Sequence, residues 1–566
     1  MSITIGIDLG TSTTEAAVYR NGKPEMIRNA DGQAIIPSFI GIDESGNWVV
    51  GERAKAQRLL LPECTAMEVK RKTGTGERIA LGKTSYEPVE LQAKLLSYVR
   101  TYASEYIGEN IDHAVISVPA YFNEIQRRET IRAGELAGFS VERILNEPTA
   151  AALSYGLEHM DEESHILVYD LGGGTFDVTL LEMFDGVLEV KASSGDNQLG
   201  GKDFDEAIMT LLLTRFSDRY GKKLQKEAAA MARIREEAEK CKLALSTQDS
   251  YRVLLPAVSL VNGNPVALDE IVTCETFEKI TSELLRRTHE PINVVLEDSG
   301  LSEADIDSVI LVGGSTRMPM VRRDILDFIG KEPLPLVDPD CAVAEGAAIQ
   351  AGLISGEIDP AQGLIMTDVN PYTLGIRAAD WTGDTNNMSI VIPRNVTIPV
   401  TRTERYSTFN DWQTKAFISV YQGESRVATH NHHLGEFTIG GIPPAPAGRE
   451  SLDVEFSYDL NGMLKVTATV CSTGQDASIA IDMLKGDEEK PDLSGWKNAP
   501  GAKAYRAIIR KAERLLARSD SALSPELRER LLAASDRLKE ALLSGDADGA
   551  ENAEETLASL LEETGL

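Results

Sequence analysis

Ile166-Leu167-Val168-Tyr169-Asp170-Leu171-Gly172-Gly173-Gly174-Thr175-Phe176-Asp177 is the stretch from which the fold is read. Its apolar start, Ile166–Val168, predicts a strand. Asp170-Leu171-Gly172 ends that strand in a glycine turn. Asp185-Gly186 then predicts a hairpin, because both residue types tolerate positive φ. The same order stands at the N-terminus, where the run Ile3–Ile7 leads to Asp8-Leu9-Gly10 and Asn21-Gly22 follows. Two units of strand, glycine turn, strand and hairpin suggest two related lobes. Hairpins are common, so the repeat alone leaves coincidence open.

Further out, Ala114–Val118 and Val309–Val312 read as strands, and Asn123–Leu136 and Ala229–Leu245 as helices. Residues 1 to about 360 are therefore expected to be sheets covered by helices. Gly363–Asp368 is apolar but too short for a helix. From Tyr372 to Asp482 alternating runs dominate. Leu452, Val454 and Phe456 lead through Asn461-Gly462 into Leu464, Val466, Ala468 and Val470, a hairpin in a β-rich domain. Helices are expected near 502–517, 525–543 and 547–563, with Ser524-Pro525 as a start signal and Gly545 as a stop. From Glu540 onward the chain has acidic residues and no Lys or Arg, which reads as a solvated acidic helix.

The chain has 566 residues, 57 Lys+Arg and 88 Asp+Glu, for a net charge of −31. This length predicts several domains. The acidity argues against general binding to nucleic acid or an anionic membrane. No secretory signal or membrane span is visible. The scattered cysteines Cys64, Cys241, Cys274, Cys341 and Cys471 form no CxxC pair, so a cytoplasmic location is expected.

Three glycine turns carry the chemistry: Asp8–Thr14, Asp170–Asp177 and Leu311–Arg317. Glycine lets backbone amides approach an anion, and hydroxyls of Thr and Ser add donors. An Asp at a strand end suits hydrated magnesium. Any one turn is weak evidence; the three together point to a nucleotide cleft. Gly82-Lys83-Thr84 fails as a P-loop because Glu77 occupies the required glycine position. Gly74-Thr75-Gly76 fails as a dinucleotide fingerprint because Ile79 replaces its third glycine.

The ordered segments IGIDLGTSTT, VKRKTG, VISVPAYFNEIQRR, ILNEPTAAALSYG, YDLGGGTFDVTLL, NQLGGKDFD and ILVGGSTRMP closely resemble the DnaK-type heat-shock chaperones of the heat shock protein 70 family. DVNPYTLGI, IPPAPAG and VEFSYDLNGMLKVTA extend the resemblance to roughly residue 485. The short C-terminus resembles the HscC-like branch. The resemblance implies a multidomain chain. Residues 1–360 would be an actin-like α/β ATPase domain of two ribonuclease-H-like lobes. Residues 361–370 would be a linker, 371–486 a β-sandwich that binds peptide, and 487–566 a short α-helical lid.

The resemblance also implies residue roles. Lys70, Glu147, Asp170, Thr175 and Asp177 would be catalytic, with Lys70 positioning the attacking water. Asp8 and Asp170 would organise magnesium through water. Asp8, Gly10, Thr11, Ser12 and Thr13 would hold phosphates, as would Gly172, Gly173, Gly174, Gly200 and Gly201. Glu239, Lys242 and Ser246 share a helix face by spacing, which on its own reads as solvated. By resemblance that face clasps the nucleoside opposite Gly313, Gly314, Ser315 and Arg317, with Asp340 nearby. ATP or ADP and Mg2+ are the implied cofactors, with K+ as an additional cation.

Pro119, Arg143, Leu364, Ile365, Met366 and Asp368 would couple the domains. Thr367 replaces a usual apolar residue there and is expected to weaken linker docking. Ile376, Ala379, Tyr406, Phe409 and Ile418 would line the peptide site, where Ala416, Trp381 and Trp412 depart from the family pattern. A lid interrupted by Pro500-Gly501 is expected to release peptide quickly. His430, His432 and His433 lack an evident fourth ligand and read as an exposed loop. The sequon Asn395-Val396-Thr397 carries no information without a signal peptide. Implied partners are unfolded or extended peptides, a J-domain co-chaperone and a nucleotide-exchange factor. The expected activity is ATP-dependent chaperoning, against the alternatives of an actin-like-fold small-molecule kinase or an ATP-dependent filament protein.

Overall fold

The computed structural model describes residues 3–58, 60–156, 159, 163–334, 339–358, 365–379, 385–480, 496, 501–516, 525–544, 550, 553–554, 556–558 and 560–561. Leu364, Trp381, Pro500, Ser524 and Gly545 lie outside the described residues. The chain divides into two units, Met1–Ile481 and Asp482–Leu566.

Two mixed sheets organise the first part of the larger unit. One runs Ser140–Asn146, His113–Val118, Thr4–Leu9, Thr13–Arg20, Lys23–Met26, with Ile35–Pro37 also on Thr13–Arg20. The other runs Ser308–Val312, Ser164–Leu171, Phe176–Phe184, Val187–Asp196, Ile365–Val369, Thr397–Ile398. Their connectivity repeats. Thr4–Leu9 has an antiparallel partner after its glycine turn and the parallel strand His113–Val118 on its other side. Ser164–Leu171 likewise has antiparallel Phe176–Phe184 and parallel Ser308–Val312. Asp8 and Asp170 thus occupy equivalent strand ends.

Local chemistry explains the turns. Asn21 and Gly22 take φ of 55° and 81°, and Asp185 and Gly186 take 48° and 74°, as a tight hairpin requires. At Asn461-Gly462 only Gly462 is left-handed, with φ of 75°. The Asp459 carboxylate accepts from the amides of Asn461 and Met463. It thereby organises the loop of the expected hairpin, which closes at Tyr458 opposite Leu464.

The predicted helices form as Glu124–Leu136 and Ala228–Leu245. Asn123 caps the first: its side chain accepts from Gln126 N, and the Gln126 side chain accepts from Asn123 N. Cores on each sheet include Ile5, Ile7, Leu96 and Ile116 on one side and Leu167, Phe176, Phe204 and Ile208 on the other. Burying each such side chain contributes about 1.5–3 kcal/mol before entropy is charged.

From Leu374 the chain forms two four-stranded antiparallel sheets. Leu452, Val454 and Phe456 face Ile376, Ile418 and Val420 in one core, as the alternation predicts. His432 and His433 begin the strand His432–Ile439 rather than an open loop. The smaller unit contains helices Ala502–Leu516 and Pro525–Ser544. The described residues from Ala550 to Leu561 are also helical. Ile509, Leu531, Leu538 and Leu557 form its core. No helix among the described residues is long and apolar enough to cross a membrane.

Candidate functional site

The equivalent strand ends bring the glycine turns together around a solvent-open cleft of about 500 Å³. The first turn contributes Asp8, Gly10, Thr11, Ser12 and Thr13. The second contributes Asp170, Gly172, Gly173 and Thr175, and the third Gly313 and Gly314 with Asp340. Lys70 and Glu147 also line it, as does Glu15, which the sequence reading missed.

The second turn is pinned by its carbonyl groups. Gly172 O accepts from Gly201 N at 2.9 Å and from Ser315 Oγ at 2.8 Å. Gly173 O accepts from Lys202 N at 2.9 Å, and Gly174 O accepts from Arg71 Nε at 2.9 Å. With its carbonyls committed to protein donors, the loop is suited to offer its other amides to an anion. A Cβ at Gly200 would lie 2.4 Å from Gly174 N. Gly313 has φ of 83°, and a Cβ there would lie 2.5 Å from Leu171 O. Both close approaches require glycine.

The Lys70 ammonium ion-pairs with the Glu147 carboxylate, and both side chains are nearly buried. Glu147 opens the helix Glu147–Gly156, where the dipole favours an anion. Asp177 lies across from Asp170 in the strand register and accepts from Tyr121 N at 2.9 Å. Asp8 accepts from Ser117 Oγ at 2.8 Å. Burial, then the charge of Glu147, pushes Asp8 and Asp177 each up to about 7. Burial, then Glu147, Asp177 and Asp8, raises Asp170 well above the usual range. Burial, then Asp8, does the same to Glu15. The cleft is short of positive charge and rich in hard oxygen donors, which fits Mg2+. Among the described residues no three His, Cys, Asp or Glu side chains are placed to hold a bare metal ion. The residues therefore fit a cation that keeps its water shell.

Several predicted residues stand behind the lining or beside it. Lys242 pairs with Asp205 at 2.9 Å and donates to Gly201 O at 3.1 Å. Ser246 donates back to Lys242 O at 3.3 Å. Burial raises the Glu239 carboxyl, but Lys202, Lys55, Lys242 and Arg58 together outweigh it and leave the pKa lowered. Arg317 pairs with Asp340 at 2.7 Å. Arg71 was also missed. It pairs with Asp203 at 2.5 Å, and Asp203 in turn accepts from Gly200 N. Its position beside Lys70 was the available signal.

Ile365–Val369 is a strand shared between regions. It pairs in parallel with Val187–Glu189 and antiparallel with Thr397–Ile398. Asp368 accepts from Asn146 Nδ2 at 2.9 and 2.8 Å. Asn146 directly precedes Glu147, so one peptide unit separates the Asp368 partner from the Lys70 partner. Burial lowers the Arg143 pKa, opposed by Asp368. Pro119 is buried beyond the strand His113–Val118. Met366 packs against the adjacent core, whereas Ile365 is exposed. The Thr367 hydroxyl is buried without a hydrogen-bond partner, at a cost of about 1–3 kcal/mol.

In the β-rich part, Ile376 and Ile418 are buried in the core, and Tyr406 packs against it. Tyr406 Oη lies 2.9 Å from Ser389 Oγ. Ala379 is exposed, as are Phe409 and Trp412.

The family described as "Hsp70 protein" matches residues 4–80 and 76–563. Two curated relatives, each described as "Chaperone protein DnaK", come from Halobacterium salinarum strains ATCC 29341 / DSM 671 / R1 and ATCC 700922 / JCM 11081 / NRC-1. Each is 43% identical over 479 residues, spanning 84% of this chain and 75% of the relative.

Proposed function

The chain belongs to the Hsp70 protein family, and from that membership we propose that the cleft around Asp8, Lys70 and Asp170 is its ATPase site. The protein is a DnaK-type, ATP-dependent molecular chaperone and an ATPase. Its relatives disfavour the kinase and filament readings. The proposal about the site rests chiefly on one observation: all three glycine turns meet at a buried Lys70–Glu147 pair.

In this reading residues 1–360 form the actin-like ATPase domain, with 361–370 as linker, 371–486 as peptide sandwich and 487–566 as lid. Thr11, Ser12, Thr13 and Gly172 to Thr175 cradle the phosphates. Glu239, Lys242, Ser246 and Arg317 hold the nucleoside. Lys70 orients the attacking water and offsets charge at the γ-phosphate, while Glu147 holds its ammonium in place. Asp177 orients water through the oxygen not bonded to Tyr121. Mg2+, held through water by Asp8 and Asp170, supplies charge neutralisation of the phosphates, and K+ is an additional cation. Ile376, Ala379, Tyr406, Phe409 and Ile418 contact extended peptide, with Asp368, Met366, Ile365, Arg143 and Pro119 relaying nucleotide state. A J-domain protein and an exchange factor act on the cycle. The free cysteines support a cytoplasmic setting.

Lys70→Ala is expected to keep ATP affinity and lose single-turnover hydrolysis by about 10²-fold or more. Near-normal hydrolysis would remove Lys70 from the site. Peptide affinity measured in ATP and in ADP tests the coupling, and equal affinities would count against it.

A further inference from the structure

Glu15 is a charged residue of the cleft that the roles above leave unused. It sits on Thr13–Arg20 directly across from Asp8 in the antiparallel register, so the two side chains share a face. The residue is only 1% exposed, yet it lines the cleft. Its Oε1 has no hydrogen-bond partner. Asp8 Oδ1, by contrast, is already bound to the Ser117 hydroxyl. A buried carboxylate oxygen without a donor costs folding free energy, and a strand of this composition, Thr13–Arg20, would pack an apolar residue there without that cost.

We propose that Glu15 is an outer acceptor for the water shell of the divalent cation, working beside Asp8. The inference rests on the nucleotide-site reading. Mg2+ gives up its waters reluctantly, and those waters are strong donors that need acceptors. No three His, Cys, Asp or Glu side chains among the described residues are placed to hold the ion directly, so the protein's own share of its affinity comes through acceptors for its waters. Glu15 Oε1 is an acceptor of this kind, prepaid in folding stability and satisfied when the hydrated cation is bound. Glu15 is a positioning residue; Asp8 and Asp170 remain the principal holders.

Two neighbours compete for this role: Thr13, whose side chain hydrogen-bonds the Glu15 carboxyl, and Tyr102, whose hydroxyl is buried, unpartnered and close enough for the Glu15 charge to raise its pKa. A Glu15–Tyr102 contact would make Glu15 structural. The two accounts part in one experiment on the full chain. ADP affinity is titrated against Mg2+ by calorimetry, beginning in chelator, for the parent, Glu15→Gln, Glu15→Leu and Tyr102→Phe, with thermal unfolding of each nucleotide-free protein. Removing such an outer partner typically costs 10–100-fold in metal affinity. Glu15→Leu is expected to weaken Mg2+ binding in the ADP complex by about tenfold and to raise the nucleotide-free Tm. Glu15→Gln should weaken it less, and Tyr102→Phe not at all. Metal-free ADP affinity should not fall in any variant. Mg2+ affinities within twofold of the parent for both Glu15 variants would overturn the proposal, as would an equal loss in Tyr102→Phe. A parent whose ADP affinity ignores Mg2+ would instead overturn the nucleotide-site reading beneath it.

Discussion

Gly346 shows how one atom sets the approach of two helices. A Cβ there would lie 1.7 Å from Ala150 O, because Ala342–Ser355 crosses Glu147–Gly156 at backbone contact. Alanine is a better helix former by about 1 kcal/mol, but the clash outweighs that preference. Gly346→Ala is expected to destabilise the protein by roughly 3 kcal/mol in urea unfolding. It should also disturb hydrolysis, because Glu147 begins the displaced helix. Unchanged stability would mean the crossing relaxes freely. At Lys70 the same scale gives a different lesson. A lysine with only 5% of its side chain exposed is tolerable because Glu147 pairs with it, and a residue 77 positions away in sequence is what makes it so.

The helix Glu124–Leu136 joins the first sheet to the β-rich part. The Glu124 carboxylate accepts from Leu464 N at 3.1 Å and from Arg128 at 2.7 Å. Burial, only partly offset by Arg128, pushes it up to about 7 from 4.5. Because the folded form holds the proton more tightly, this group stabilises the fold fully below about 4.5. That contribution is lost as pH rises through about 7. The loss is on the order of 3 kcal/mol. Glu124→Gln is therefore expected to flatten the decline in urea midpoint between pH 5.5 and 8.5 relative to the parent. Parallel curves for parent and variant would refute the assignment. The neighbouring loop adds a second tie, since Asn461 Oδ1 accepts from Ile144 N.

Across the whole molecule, Met1–Ile481 is one unit, in which Ile365–Val369 extends the second mixed sheet and Asp368 reaches Asn146 at the end of a strand of the first. Arg394 and Asn395 add contacts to Asp298, each at 2.7 Å. The division at residue 481 predicts that a chain ending there keeps nucleotide affinity and a thermal midpoint within a few degrees of the parent. A collapse of the midpoint would show that the smaller unit supports the larger. A chain lacking residues 498–566 is expected to release bound peptide faster, measured by fluorescence after dilution. Equal rates would deny the lid a role.

The sequence by itself determined what depends on neighbours along the chain. The φ preferences of Asn21-Gly22 and Asp185-Gly186 specify hairpins, alternation at Leu452, Val454 and Phe456 specifies a one-sided strand, and the order of glycine turns carries the family. The Asn461-Gly462 hairpin is also there, with the Asp459 side chain setting its loop by taking the amides of Asn461 and Met463. Only the tertiary structure decided which charges meet. Lys70 with Glu147 and Asp368 with Asn146 are pairings between residues far apart in the chain, and Glu15 comes opposite Asp8 only through the register of two strands. Their energies come from burial and from the shortage of partners inside it, quantities that no single segment of sequence contains.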